Sequence, residues 1–383
     1  MNLILCNQKN IISAFYFVLT ILLLPQSIIG SKGIRNRCPP YELLYPCYCN
    51  SIPKYDQLSQ CSFGNIEITS TRCQTPVITC IGHHLGEKLR MIFGNISEHI
   101  TNGNYRKFEW FYLIDHGLTE LGPSLFEHVY FRNIYLKSCP QLQWLNVTTF
   151  GRSNSHYTRN IFINASSLSN EPKLRRSTFK ALSTLINLEV LEIQSSNISL
   201  IPYKAFNRNT NVRIIRFHNT EPSSSNHRLE AIGTKAFYKA NRLEEINLAN
   251  NHIRRIRPYA FEFNQKSLHE LKIFLSGNQL HSDSFEMNAL LGSNGRNITL
   301  YLGDYGNCNP HLITLKREIF EPFFEENPGN VVDMYGCPLV CDHRMEWLTY
   351  NLQRYRSHIR NLECLTSTQF MTRDNYHYYH VQK

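Results

Sequence analysis

The sequence predicts an α/β solenoid. About eight short parallel strands would form a curved sheet on the concave face. The convex side would be mostly irregular, and disulfides would close the ends. Three observations predict it. Pairs of apolar residues separated by one position return every 23 to 31 residues. A Phe follows seven of these eight pairs. Cysteines gather at the two ends of the chain, largely outside the repeating part.

The pairs are Phe111/Leu113, Ile134/Leu136, Ile161/Ile163, Leu191/Ile193, Ile215/Phe217, Ile246/Leu248, Leu271/Ile273 and Leu300/Leu302. The following Phe residues are Phe126, Phe150, Phe179, Phe206, Phe237, Phe261 and Phe285. The stretch Leu243–Phe261, LEEINLANNHIRRIRPYAF, shows one whole unit. It alternates briefly, as a strand does, then turns at Asn251 and ends in Ala-Phe. A period in the twenties with this pattern is the leucine-rich repeat. One unit cannot bury its apolar edge alone, so units stack and their Leu and Ile point into the coil. The corner Asn would pair backbone groups that are otherwise buried unsatisfied.

The pattern is degenerate. The corner position holds His116, Cys139, Ser166, Ser196 and Thr220 in other units. The seventh unit has two extra residues, around Phe274 and Leu275, before Asn278. Polar inserts at Gly151–Asn160 and Glu221–Arg228 account for long spacings. Cys139 reads as a buried structural thiol in a corner, with no neighbouring base to activate it.

The 383 residues divide as a signal peptide (1–30), an N-terminal cysteine cap (31–105), the repeats (106–305), a C-terminal cysteine flank (306–370) and a polar tail (371–383). Ile11–Leu24 is nearly all apolar, preceded by Lys9 and followed by Pro25, with a cleavage zone between Ser27 and Ser31. That run is short for a membrane span and flanked as a signal. No later stretch is long and apolar enough, so the mature chain is expected to be secreted, extracellular and without a membrane span. Sequons at Asn95, Asn146, Asn164, Asn197 and Asn297 agree with a secreted glycoprotein.

The chain has 12 cysteines. Cys38, Cys47, Cys49, Cys61, Cys73 and Cys80 lie before the repeats; Cys308, Cys337, Cys341 and Cys364 lie after them. Open ends of a stack must be closed, and an exported protein favours disulfides over a zinc site for such clusters. Spacing alone leaves several connectivities open.

The N-terminal order C…C-x-C…C resembles the cysteine cap that precedes extracellular leucine-rich repeats. That resemblance implies Cys38–Cys49 and Cys47–Cys80, with Cys61–Cys73 closing an inserted loop. CPLVCDHRMEWL (Cys337–Leu348) with Cys364 resembles a C-terminal cysteine flank, although His343 stands where a Cys is usual. Cys308–Cys337 and Cys341–Cys364 are then the sensible pairs. Met345, Trp347, Leu348 and Leu352 would pack a helix on the last repeat. From Cys38 to about Cys364 the chain is similar to arthropod secreted leucine-rich repeat proteins, in the group named after the non-catalytic subunit of shrimp luciferin 2-monooxygenase. CPPYELLYPCYCN and the A-F after the repeats carry this too. The resemblance implies a secreted binding or stabilising partner without chemistry of its own.

The sequence carries no G-x-S-x-G, H-E-x-x-H, P-loop or dinucleotide glycine pattern. No enzyme activity, cofactor or metal site is expected. His83–His84 and His377/His380 lack the three or four ligands a metal needs. Lys and Arg exceed Asp and Glu by 40 to 30, a formal charge of +10. Arg254, Arg255 and Arg257, with Arg175 and Arg176, are the densest basic clusters. They could hold a sulfated glycan; nucleic acid is a poor partner for an exported protein.

Strand residues between the core pairs would face the concave side. That column reads Tyr112, Tyr135, Phe162, Glu192, Arg216, Asn247, Lys272 and Tyr301. Its N-terminal part is aromatic, and Trp110 shares the face. Trp110, Tyr112, Tyr135 and Phe162 are therefore the candidate binding patch for an extracellular protein ligand. The alternatives are a stabilising subunit of a secreted enzyme and a glycan-binding structural protein of the extracellular matrix. Asn164 should lie on the same face beside Phe162. Leu136, Ile163, Ile193, Phe217 and Leu248 should form one buried row.

Overall fold

A computed structural model describes residues 38–51, 61–63, 66–68, 76–100, 106–164, 167–169, 177–217, 229–304 and 307–365. The predicted signal peptide, Cys73, Ser166, Arg175, Arg176, Thr220, the insert Glu221–Arg228, and the tail with His377 and His380 lie outside them.

The main sheet takes twelve strands in chain order. They are β1 (Cys47–Ser51), β2 (Pro76–Gly82), β3 (Lys107–Asp115), β4 (Tyr130–Lys137), β5 (Asn160–Asn164) and β6 (Val190–Ile193). Then come β7 (Ile214–Arg216), β8 (Glu245–Asn247), β9 (Leu271–Phe274), β10 (Ile298–Tyr301), β11 (Val331–Asp333) and β12 (Ile359–Arg360). The β1–β2 pair is antiparallel, and every later pair is parallel. The sheet therefore runs past the predicted repeats at both ends: β2 lies in the cap, and β11 and β12 lie in the flank.

The apolar pairs dictate the register. Ile134, Ile161 and Leu191 align across β4–β6, and Leu136, Ile163 and Ile193 align beside them. Leu136, Ile163, Ile193, Phe217 and Leu248 are all at most 3% exposed and belong to one core. Behind the sheet the Phe residues form a ladder, edge-on at Phe179–Phe206 and stacked from there on to Phe261. Phe206 and Phe237 lie 5.6 Å apart at 4°, and Phe237 and Phe261 5.9 Å apart at 2°. Each such buried ring contributes about 1.5–3 kcal/mol, so the ladder is a main source of cohesion between units.

The seventh unit corrects the sequence alignment. Ile273, not Leu271, pairs with Ile246 and Leu300, and Phe274 pairs with Asn247 and Tyr301. The unit's inward pair is thus Ile273 and Leu275, both 0% exposed. Phe274 replaces Lys272 in the column facing away from the core. The two apparent extra residues vanish, and Asn278 stands three positions after Leu275, as Asn251 does after Leu248.

The corner Asn residues bond backwards, to the unit before rather than the unit after. Asn251 Nδ2 donates to the carbonyls of Phe217 and Leu248. Asn278 Nδ2 donates to Leu248 and Leu275 at 2.9 and 3.0 Å. Asn309 Nδ2 donates to Leu275 and Leu302 at 3.0 and 2.8 Å. Cys139 takes this place in the second unit, with its Sγ 3.6 Å from the Lys137 carbonyl. It is buried and free, and burial pushes its thiol up to about 11.

The insert read as a polar loop at Gly151–Asn160 folds instead as the helix Gly151–Tyr157 leading into β5. Asn154 inside it is fully buried, and its Nδ2 donates to the Phe126 and Val129 carbonyls. These bonds tie the helix to the preceding turn.

Among the described residues four disulfides close the ends: Cys38–Cys49, Cys47–Cys80, Cys308–Cys337 and Cys341–Cys364. Cys61–Cys73 lies outside what the structure describes. Within the cap, after its last cysteine, the helix Gly86–His99 buries Leu89, Ile92, Phe93 and Ile96, the one-face spacing of an amphipathic helix. The Asp115 carboxylate receives N–H bonds from His84, Leu85 and Gly117 at 2.9, 2.6 and 2.9 Å. It thereby pins the entry to that helix against the end of β3. In the flank, Met345 and Leu348 are buried, but Leu352 is 46% exposed. Tyr355, 2% exposed, packs there instead, because the helix breaks into Glu346–Thr349 and Leu352–Tyr355.

Candidate binding face of the sheet

The face of the sheet turned away from the core divides into three parts. At β3–β5 four rings meet. Tyr112 and Tyr135 sit edge-on with centroids 5.2 Å apart, and Tyr135 and Phe162 likewise at 6.1 Å. Trp110 stacks on Phe162 at 6.0 Å and 23°. All four predicted patch residues are brought together. They differ in exposure: Tyr112 and Tyr135 are half-buried, whereas Trp110 and Phe162 are 7% and 8% exposed. Neither Trp110 nor Phe162 belongs to the core cluster. Their burial comes from packing on this outer face. Burial, then Tyr135 and Tyr48, raise the Tyr112 phenol well above its usual value. Burial, then Glu192, raise that of Tyr135. Both rings therefore present neutral hydroxyls.

Next comes a polar chain across β5–β8. Asn164 Nδ2 donates to Gln194 Oε1 at 2.7 Å, and Gln194 Nε2 donates to Glu192 Oε1 at 2.6 Å. Arg216 bridges Glu192 at 3.4 Å and Glu245 at 2.7 Å. Asn164 is thus outside the core, on the predicted face, but half-buried rather than open. Its amide is engaged by Gln194, just past β6.

The third part is a second aromatic pair. Phe274 and Tyr301 stack with centroids 4.5 Å apart and planes at 7°. The C-terminal half of the column is therefore not simply polar. The sequence reading missed Phe274 because of the two-residue slip in unit seven. Asn278, placed three residues after Leu275, was the signal that could have found it.

The sequons fall in unlike places. Asn95 and Asn297 are exposed, Asn197 is half-buried, and Asn146 is 8% exposed. The Asn146 Oδ1 accepts from the Thr148 N–H and Oγ1 at 3.1 and 3.0 Å. His83 and His84 pack edge-on at 4.1 Å. Among the described residues no helix is long and apolar enough to cross a membrane.

A stack of parallel strands in chain order, backward-bonding corner amides and a Phe ladder define a repeat protein. Residues 176–300 match the family model of the BspA type leucine-rich repeat region, in six copies. The chain thus carries leucine-rich repeats, which suggest a protein-binding module. No curated protein matches the chain.

Proposed function

We propose that the protein is a secreted, non-catalytic glycoprotein whose repeats wind into a solenoid and capture an extracellular protein on the concave face. The observation that carries this reading is the ring cluster Trp110, Tyr112, Tyr135 and Phe162, packed outside the core on one face of the sheet. Aromatic side chains offer large rigid contact area, and Tyr and Trp dominate binding hot spots. Phe274 and Tyr301 form a second anchor four strands away, roughly 19 Å at ordinary strand spacing. The satisfied charges of Glu192, Arg216 and Glu245 between them set register more than affinity. A glycan on Asn164 would stand between the anchors and confine a partner to the Trp110 end. The apolar run Ile11–Leu24 and the disulfide-closed ends support export.

The test is capture of partners from extracellular fluid by the secreted, glycosylated chain, identified by mass spectrometry. Tyr112→Ala with Tyr135→Ala should abolish capture and leave the melting temperature nearly unchanged. Undiminished capture would remove the site. An enzyme among the captured proteins would make the chain its stabilising subunit. Turnover by the pure chain would overturn the non-catalytic reading.

A further inference from the structure

A second surface lies on the three short strands Leu200–Ile201, Ala231–Ile232 and Arg255–Ile256, which form their own parallel sheet. In the turns after the first two, Lys204 and Lys235 occupy equivalent places, each two residues before the ladder Phe and each with φ just above +50°. Lys204 Nζ sits 4.9 Å from the Tyr203 ring centre and 5.2 Å from that of Tyr238. Lys235 Nζ sits 5.2 Å from Tyr238 and 6.0 Å from Tyr259. Rings and ammonium groups thus alternate, Tyr203–Lys204–Tyr238–Lys235–Tyr259, over three successive units.

The charges on this ladder are not balanced. Lys235 pairs with Glu262 at 3.0 Å. Among the described residues Lys204 has no carboxylate at salt-bridge distance. Arg208 and Lys239, both exposed, follow Lys204 and Lys235 by four positions each and add cations to the same turns. Arg255 and Arg257 share the single carboxylate of Glu286 at 3.5 and 3.6 Å. Cations exceed their carboxylate partners along a path whose step is the strand spacing, about 4.8 Å.

We propose that this ladder is a docking track for a sulfated polysaccharide. Such a chain carries permanent anionic groups at regular intervals, and its sugar rings have apolar faces that lie against aromatic side chains. Tyr203, 59% exposed, offers such a face at the end of the track. The rings also hold the ammonium groups in place. A free Lys loses rotamer entropy when it is fixed, and part of that loss is already met in the folded protein. A smooth positive field would attract any polyanion; a ladder of fixed cations between rings favours a thin polymer laid along it. This track is separate from the outer face of the main sheet, so either can fail without the other.

The experiment is salt-gradient elution of the full secreted chain from immobilised heparin and, in parallel, from a plain sulfonate resin. Tyr203→Ala with Tyr238→Ala keeps the charge. It should weaken heparin binding roughly three- to tenfold, as expected for lost cation–π support, and leave sulfonate elution unchanged. Lys204→Gln with Lys235→Gln should elute early from heparin, and Lys272→Gln, on the main sheet, should elute nearly as the parent does. Melting temperatures confirm that each variant is folded. The proposal is overturned if the ring variant elutes with the parent from heparin, if Lys272→Gln shifts as far as the ladder variant, or if duplex DNA competes as well as heparin.

Discussion

Trp110 and Phe162 stack although a whole strand separates them: Trp110 is on β3, Phe162 on β5, and β4 runs between. The register explains how. The β4 residue beside Trp110 is Asn133, only 2% exposed, which donates to the Glu109 carbonyl at 2.9 Å and accepts from Asn160 at 2.6 Å. This low, satisfied side chain leaves room for the indole to reach over it. Phe162→Ala should uncover Trp110, red-shift the tryptophan emission and cost about 2–3 kcal/mol, at or below the low end for a core Phe. An unshifted spectrum would show that the stack does not shield the indole.

Asp115 holds three backbone N–H groups at once, so no neutral residue of its size replaces it. Asp115→Asn offers one acceptor oxygen where two are used and places an NH2 against a donor. The loss should be about 1–3 kcal/mol, the cost of leaving buried groups unmatched. Urea unfolding with an unchanged slope and a lower midpoint would match; an unchanged midpoint would not.

Asn278→Ala strips a donor from the carbonyls of Leu248 and Leu275 together and from the Ile253 N–H its acceptor. The expected cost is again about 1–3 kcal/mol. Cys139→Ala should cost less, since a thiol is a weak donor. Equal losses in thermal unfolding would contradict the ranking.

Cys139 should resist alkylation in the folded protein, because burial both blocks access and keeps the thiol protonated at pH 8. Iodoacetamide should modify it only after denaturation. Peptide mapping of native labelled protein checks this, and a modified Cys139 peptide would refute it.

Asp342 gives an acid-side prediction. Its carboxylate accepts from the Arg344 guanidinium at 2.6 Å and the Arg344 N–H at 3.0 Å, and the guanidinium holds it down to about 2. A depressed folded value stabilises the protein above the ordinary Asp range and ceases to do so as pH falls through about 2. The melting-temperature gap between the parent and Asp342→Asn should thus be full at pH 5 and close between pH 4 and 2. The pair is solvent-facing, so the gap will be small. A gap constant with pH would remove the ion pair as its cause.

The inward rows were readable from the sequence because the alternation in each strand and the following Phe agree on one phase. The seventh unit failed because Leu271, Ile273 and Leu275 are all apolar. A slip of two residues keeps the same face inward, so the pattern could not reject it. The four-ring cluster was readable as a column of residues. Its degree of burial was not, since Trp110 is covered by a residue two strands away, and no local periodicity encodes that reach. Nor could composition reveal that the polar stretch after β4 folds as a helix, because Asn154, its anchor, satisfies carbonyls of an earlier unit.

The corner amides give the stack a direction in time. Asn251, Asn278 and Asn309 each donate to a carbonyl of the unit synthesised before them. As the chain emerges, every arriving amide finds its acceptor already laid down. Loss of units from the C-terminal end leaves earlier corner amides with their acceptors and strips only the last surviving unit, as the Ile253 N–H would lose the Asn278 Oδ1; loss from the N-terminal end removes the acceptor of the first surviving corner.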